Sequence, residues 1–291
     1  MQTAVQLMAT ALQIGAVYIL FSLGLTLVFG VMRIVNFVHG QVFATAALTV
    51  AYALPTIAAA GLPPLAAYCV AAPVGVIAAL VLSVAIYTFG FRYFQRDEIG
   101  SFILSIGLVL VLDGVLLKVF GGAVHRVPEV ITGVVSSFGA TVTLQSLVLC
   151  VVALLLATGL YLMLGHTKLG KVLRAVSIDH EAAMMVGIPY GKVAFGGFLI
   201  ASLLAALAGV LIAPMSIVSP VIGTDYLIKG FIVVIIGGLG SIPGAILAGL
   251  FVATVETLGA FYLDSSYATI ATFALVIAVL LVRPKGFLGR G

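Results

Sequence analysis

Charge is scarce in this sequence. Thirteen Lys and Arg and nine Asp and Glu make up 8% of 291 residues, against a 63% hydrophobic content and a mean hydropathy of +1.35. A soluble domain carries roughly a quarter charged residues, because its whole surface must meet water. A chain this poor in charge excludes a water-soluble globular protein. No GxxxxGK[ST] sequence occurs, so any ATP-driven work falls to a partner. Cysteine is nearly absent, and Cys69 and Cys150 both lie inside apolar runs, where they act as small hydrophobes rather than as a disulfide framework or metal site. No clustered His, Asp or Cys set suits metal chemistry or nucleophilic catalysis, so no catalytic, metal or cofactor-binding residue is assigned. The net charge of +4 comes from basic residues dispersed between apolar runs, a pattern of cytoplasmic loops rather than of nucleic-acid binding. The opening MQTAVQLMAT lacks a basic n-region, so the first apolar segment is expected to stay.

Long apolar runs are what the sequence has instead. Each crossing takes about 20 apolar residues, which allows roughly eight or nine passes and little else. Backbone groups in hydrocarbon must pair within their own segment, so the runs are read as helices. The fold class is all-α, a polytopic transmembrane bundle over 1–291 as a single domain, with broken or re-entrant segments. The runs are Thr3–Phe29, Val42–Ala60, Leu65–Phe91, Ser101–Phe120, Thr143–Leu164, Val193–Ile212, Tyr226–Ile236, Ala245–Leu263 and Tyr267–Val282. Polar connections separate them at 30–40, 121–142, 166–192 and 214–223, and a Gly-rich break falls at 237–244. Thr3–Ala60 and Tyr226–Leu263 echo one another as span, Gly-bounded break, span.

Basic residues set the sidedness. Placing Arg92 with Arg96, then Lys168, Lys171, Arg174 and Lys192, then Arg283, Lys285 and Arg290 on the cytoplasmic side requires an even number of runs between clusters, which the order above supplies. The C-terminus is then cytoplasmic.

Within the loop 166–192, Ser177 or Asp179 can cap a short helix over Glu181–Val186, and Gly187 and Pro189 stop it. Ala182, Ala183 and Met184 give it a small, smooth face suited to a groove on a cytoplasmic protein. The Glu181-Ala182-Ala183-x-x-x-Gly187 spacing resembles the loop by which permeases of ATP-binding-cassette (ABC) importers seat on their ATPase. Gly24-Leu-Thr-Leu-Val-Phe-Gly30, Arg33-Ile-Val-Asn-Phe-Val-His-Gly40, Gly237-Gly-Leu-Gly-Ser-Ile-Pro-Gly244 and Val282-Arg-Pro-Lys-Gly286 occur in the order found in the branched-chain amino-acid permease family, and the chain resembles the shorter of that family's two permeases. The resemblance implies a second, longer permease, two cytoplasmic ATPases that carry ATP and Mg, a periplasmic or lipid-anchored solute-binding protein, and residence among the lipids of a bacterial or archaeal cytoplasmic membrane. Val38 and Gln41 depart from the family's pattern, which leaves urea or short-chain amides open as solutes.

Asn36, His39 and Gly40 at the first break, with Gly30 permitting an unwound backbone, are candidates for the translocation path; satisfying the freed backbone is the competing role. Glu256, isolated in an apolar run, either lines the path or bonds a neighbouring helix. The glycines of 237–244 serve close packing, a tight cytoplasmic turn or the border of a gate, and close packing is the expected role. Asp225 can pair with Lys229 four residues on, and Asp113 and Lys118 are expected at the external interface. An autonomous secondary transporter or channel is the rival class, and would need a coupling site that Glu256 alone does not make.

Overall fold

The computed structural model describes residues 2–95, 97–137, 140–263, 265–283 and 286–289. Of the basic residues that set the expected sidedness, Arg96, Lys285 and Arg290 lie outside the described residues. Eleven α-helices are present among them: α1 (Gln2–Met32), α2 (His39–Ala59), α3 (Pro64–Phe89), α4 (Glu98–Phe120), α5 (Leu144–His166), α6 (Lys168–Ile178), α7 (His180–Met185), α8 (Tyr190–Ile212), α9 (Ile222–Gly237), α10 (Ile242–Tyr262) and α11 (Ser265–Val282). Seven helices among the described residues are long and apolar enough to cross a membrane, and the shorter α9 and α11 pack beside them. The chain is a multi-pass membrane protein.

α1 is the axis. Every residue from Gly15 to Val28 is buried, enclosed by α5, α8, α9 and α10. A helix apolar all round suits either lipid or a protein interior, and α1 takes the interior, with Ser22 and Thr26 enclosed by its neighbours. The outer helices bury narrow stripes of small residues instead. In α3 these are Ala67, Ala71, Gly75, Ala79 and Ser83, one residue per turn. Lipid gives no hydrophobic drive for helix association, so small residues that let backbones approach carry the packing. A side chain at Gly75 would lie 2.8 Å from the Ala46 carbonyl oxygen.

Two short antiparallel ladders modify the all-α expectation at one end of the bundle. β1 (His125–Arg126) pairs with β4 (Ile217–Val218), and β2 (Val134–Ser137) pairs with β3 (Ala140–Thr143). The connection at 121–142 is rich in Val, and its backbone groups pair within the connection and with Ile217–Val218 where no helix provides partners.

The break at 30–40 differs from expectation in a way that matters. α1 continues through Gly30 to Met32, and α2 already includes Gly40. The non-helical stretch is 33–38, entered at Arg33 with φ +53°, a conformation uncommon outside glycine. His39, at its far end, packs its ring 4.9 Å from that of Phe21, eleven residues before the end of α1. Eleven residues of helix span about 16 Å. The stretch therefore climbs back beside α1, and α2 begins inside the bundle. α9 also begins there, and the meeting point is two glycines: a Cβ on Gly40 would collide with the Gly223 carbonyl, and one on Gly223 with the Gly40 carbonyl. Gly40 is thus needed for close approach, not for an unwound backbone.

The break at 237–244 is of another kind. α9 and α10 join through a tight turn in which Gly238 and Gly240 have φ of +97° and +81°. Gly237 and Gly244 touch backbone to backbone, the close-packing role. The C-terminal tail then closes the end of α9, with the N–H groups of Phe287 and Leu288 donating to the Ile236 and Gly237 carbonyls at 2.7 and 3.1 Å. The echo between Thr3–Ala60 and Tyr226–Leu263 therefore does not extend to the form of their breaks.

Candidate functional site

Thr167 begins the polar loop by accepting a bond from the Gly170 N–H at 3.0 Å, capping α6. The apolar positions Leu169, Val172, Leu173 and Val176 follow helical spacing. Gly170, Leu173 and Val176 are buried while Lys168, Lys171 and Arg174 point outward. That periodicity was available in the sequence and marks a helix the capping signals alone missed.

Asp179 is the cap of α7: its Oδ1 accepts from the N–H groups of Glu181 and Ala182 at 2.9 and 3.0 Å. The bond from Ala182 holds the Asp179 carboxyl below the usual carboxylate range against the opposing effect of desolvation, helped by the bond from Glu181 and by His180 and Arg33. The helix stops as Gly187 turns to φ +87°. The N–H of Ile188 reaches back to the Ala183 carbonyl at 3.1 Å and that of Gly187 to Met184 at 3.0 Å, a Schellman pair. Ala183 faces inward and Met184 is half-buried, so the expected outward face of Ala182, Ala183 and Met184 is corrected: Glu181 and Ala182 are exposed together with Met185 and Val186, at 87% and 77%. A six-residue helix presents few faces, and the turn at Gly187 aims two large apolar side chains at solvent.

This loop touches the first break. Arg33 donates from Nη2 to the Ile178 carbonyl at 3.4 Å, between α6 and α7. A cavity of about 900 Å³ lies between them, lined by Phe29, Arg33, Val35, Phe102, Ser177 and Leu239 among others.

Asn36 and His39 point inward, at 2% and 0% exposure. Asn36 Oδ1 accepts from the Val38 N–H at 3.1 Å. His39 donates from Nε2 to the Phe21 carbonyl at 3.2 Å; a carbonyl only accepts, so Nε2 carries the proton. Asn36 thus satisfies a donor inside the break, and His39 ties the start of α2 to the middle of α1. Replacing Asn36 by Leu leaves the buried Val38 N–H unpaired, at a cost of about 1–3 kcal/mol. The expected result is a lower thermal midpoint of the detergent-solubilised chain, and an unchanged midpoint would remove Asn36 from this role.

Glu256 is partnered. Its Oε1 pairs with the Lys229 ammonium and its Oε2 accepts from the Tyr18 hydroxyl at 2.6 Å. Lys229 therefore goes to α10 rather than to Asp225 on its own helix. Asp113 is also partnered, for Gln41 donates to it from Nε2 at 2.8 Å. No group of three or more His, Cys, Asp or Glu able to hold a metal ion occurs among the described residues.

Residues 7–282 match the model of a family described as the permease component of the branched-chain amino acid transport system. The chain is 29% identical to the high-affinity branched-chain amino acid transport system permease protein LivH of Salmonella typhimurium, over 98% of this chain and 95% of that protein. It is 30% identical, with the same coverage, to the corresponding permease protein BraD of Pseudomonas aeruginosa. It is 29% identical to a probable branched-chain amino acid transport permease of Methanocaldococcus jannaschii, over 93% of this chain and 88% of that one.

Proposed function

Since this chain belongs to the family of branched-chain amino acid transport permease components, we propose that it is a transmembrane subunit of an ABC importer of branched-chain amino acids. It forms the solute path together with a second, longer permease. Two cytoplasmic ATPases bind ATP and Mg and do the hydrolysis, and a periplasmic or lipid-anchored binding protein delivers the solute. The chain itself holds no cofactor and is not an enzyme.

The observation that carries the mechanism is the joint between α7 and the first break. Glu181, Ala182, Met185 and Val186 face outward beyond the bundle, and one residue before the α7 cap the chain is bonded to Arg33. An ATPase that grips α7 therefore pulls directly on a non-helical strand inside the membrane. A transport cycle needs an element with two arrangements that nucleotide and solute bias differently. A strand without its own hydrogen-bonded ladder moves more easily than the packed helices around it. In this reading the buried Asn36, His39 and Gly40 form the wall that moves, and Glu256 lies on the path. Lys168, Lys171 and Arg174 lie on α6, and Arg92, Lys192 and Arg283 lie just after α3, in the first turn of α8 and just after α11, which supports placing the α6–α7 side and the C-terminus in the cytoplasm of a bacterial or archaeal cell.

Purification in mild detergent with mass spectrometry tests the assembly. A second permease and two ATPases are expected to accompany the chain, and vesicles containing the complex should take up leucine only with ATP. Gradient-driven uptake by this chain alone would overturn the reading in favour of an autonomous carrier.

A further inference from the structure

Lys229 of α9, Glu256 of α10 and Tyr18 of α1 meet as described above, with the Lys229 ammonium also 5.5 Å from the centre of the Tyr18 ring. The cluster is not sealed. The side chains of Lys229 and Glu256 are 32% and 18% exposed. They border a cavity of about 320 Å³ between α9, α10 and α11, completed by Asp225, Thr269 and Thr272. Asp225, one turn before Lys229, is exposed on this chain's surface. The volume lies within the roughly 300–1,000 Å³ of small-molecule sites.

Depth makes the arrangement informative. Tyr18 lies fourteen residues before the end of α1, about 21 Å along the helix. α9 starts inside the bundle at Gly223, against Gly40, so Asp225 is at membrane depth as well. Ionised groups at such depth face a partner, water or an opposite charge, because facing lipid is costly. An internal ion pair accounts for Lys229 and Glu256 but leaves Asp225, a second carboxylate on the same accessible face. The site carries two negative groups and one positive group, with Ile228, Ile232 and Phe273 beside them.

We infer that this cavity is a station for the zwitterionic end of an α-amino acid on its way through the permease, Lys229 taking the α-carboxylate and Asp225 with Glu256 the α-ammonium. The inference rests on the amino-acid importer reading above. A zwitterion brings one charge of each sign, so it can open the Lys229–Glu256 pair and replace both halves without stranding a charge. A neutral amide or urea offers neither exchange. Ile228, Ile232 and Phe273 supply apolar contact for a branched side chain. The permease then adds a check on the backbone of the solute to whatever the delivery protein selects.

The test uses the complete importer in proteoliposomes with L-leucine as solute. ATP-driven uptake by the unaltered complex comes first, and its failure would count against the importer reading itself. Given that uptake, Asp225→Asn and Lys229→Met are each expected to lower it at least tenfold while the complex still assembles. The exchange Lys229→Glu with Glu256→Lys restores an ion pair but reverses its order, and uptake is expected to stay lost. Normal uptake by Asp225→Asn, or recovery in the exchanged chain, would reduce the cluster to a structural pair and overturn the inference. In a chain with Cys69→Ala and Cys150→Ala, a cysteine placed by Asp225→Cys should react with a charged, membrane-impermeant thiol reagent, and leucine should slow the reaction. No reaction would mean that the face is covered or meets lipid, which would also overturn it.

Discussion

Gly187→Trp and Glu181→Lys are expected to lower ATP-driven uptake roughly tenfold or more while leaving insertion and packing intact, a tenfold effect corresponding to about 1.4 kcal/mol of lost coupling. The separation follows from where the two residues sit. A Cβ built on Gly187 meets nothing within 4 Å, so a large side chain there enters solvent and not the bundle. Glu181 is exposed and its backbone N–H, not its carboxylate, serves the cap. Neither change empties or crowds the core. What remains to be disturbed is the surface offered to a partner. The positive φ at Gly187 adds strain of about 1–2 kcal/mol for any side chain, confined to one loop. Gly187→Ala carries that strain without the bulk, and is expected to fall between the parent and Gly187→Trp. Uptake, ATPase co-purification and thermal midpoint should be read on the same preparations. Normal uptake by either of the first two variants would remove α7 from the coupling role.

The largest loss of folded protein is expected from Gly40→Val or Gly223→Val. Each glycine's missing side chain is where the other's carbonyl lies, so α2 and α9 cannot both keep their starting points once either carries a Cβ. Overpacking typically costs 1–3 kcal/mol and more when the obstacle is backbone, which cannot choose another rotamer. About 3 kcal/mol or above is therefore expected, read as a fall in folded yield and in the thermal midpoint in detergent. Gly107→Val is the control, since a Cβ at Gly107 meets nothing within 4 Å. Because both substitutions break one contact, the double variant should lose less than the two losses added together. Full additivity would mean that the two glycines act independently.

The sequence announces these features unevenly. Apolar run length placed the long helices, because lipid admits few other backbone states. Asp179, Gly187 and Pro189 marked both ends of α7, since capping is a local matter settled within a few residues. The end of α1 was misplaced because glycine permits an unwound backbone without requiring one. Gly30 and Gly40 stayed helical, and Arg33 took the left-handed turn instead. Which way Ala183 faces depends on how α7 packs on α6 and α8, and capping signals do not carry that. The partners of Glu256 were hidden for the same reason. Lys229 and Tyr18 lie 27 and 238 residues away, so pairing Lys229 with nearby Asp225 was the reading proximity favours. Spacing on one helix proposes a neighbour, but the bundle chooses among all of them.

The central position of α1 has a consequence for how the molecule is made. Of the eleven helices it leaves the ribosome first, yet α8, α9 and α10, which enclose much of it, come from residue 190 onward. At synthesis rates of about 5–20 residues per second, some ten to fifty seconds separate Tyr18 from its partner Glu256. During that interval Ser22 and Thr26 of α1 meet lipid or an insertion factor and not the walls they will finally have. Chains that stop before α10 lack the wall that encloses α1, so incomplete products should be recognised and degraded as unfolded however well their outer helices have inserted.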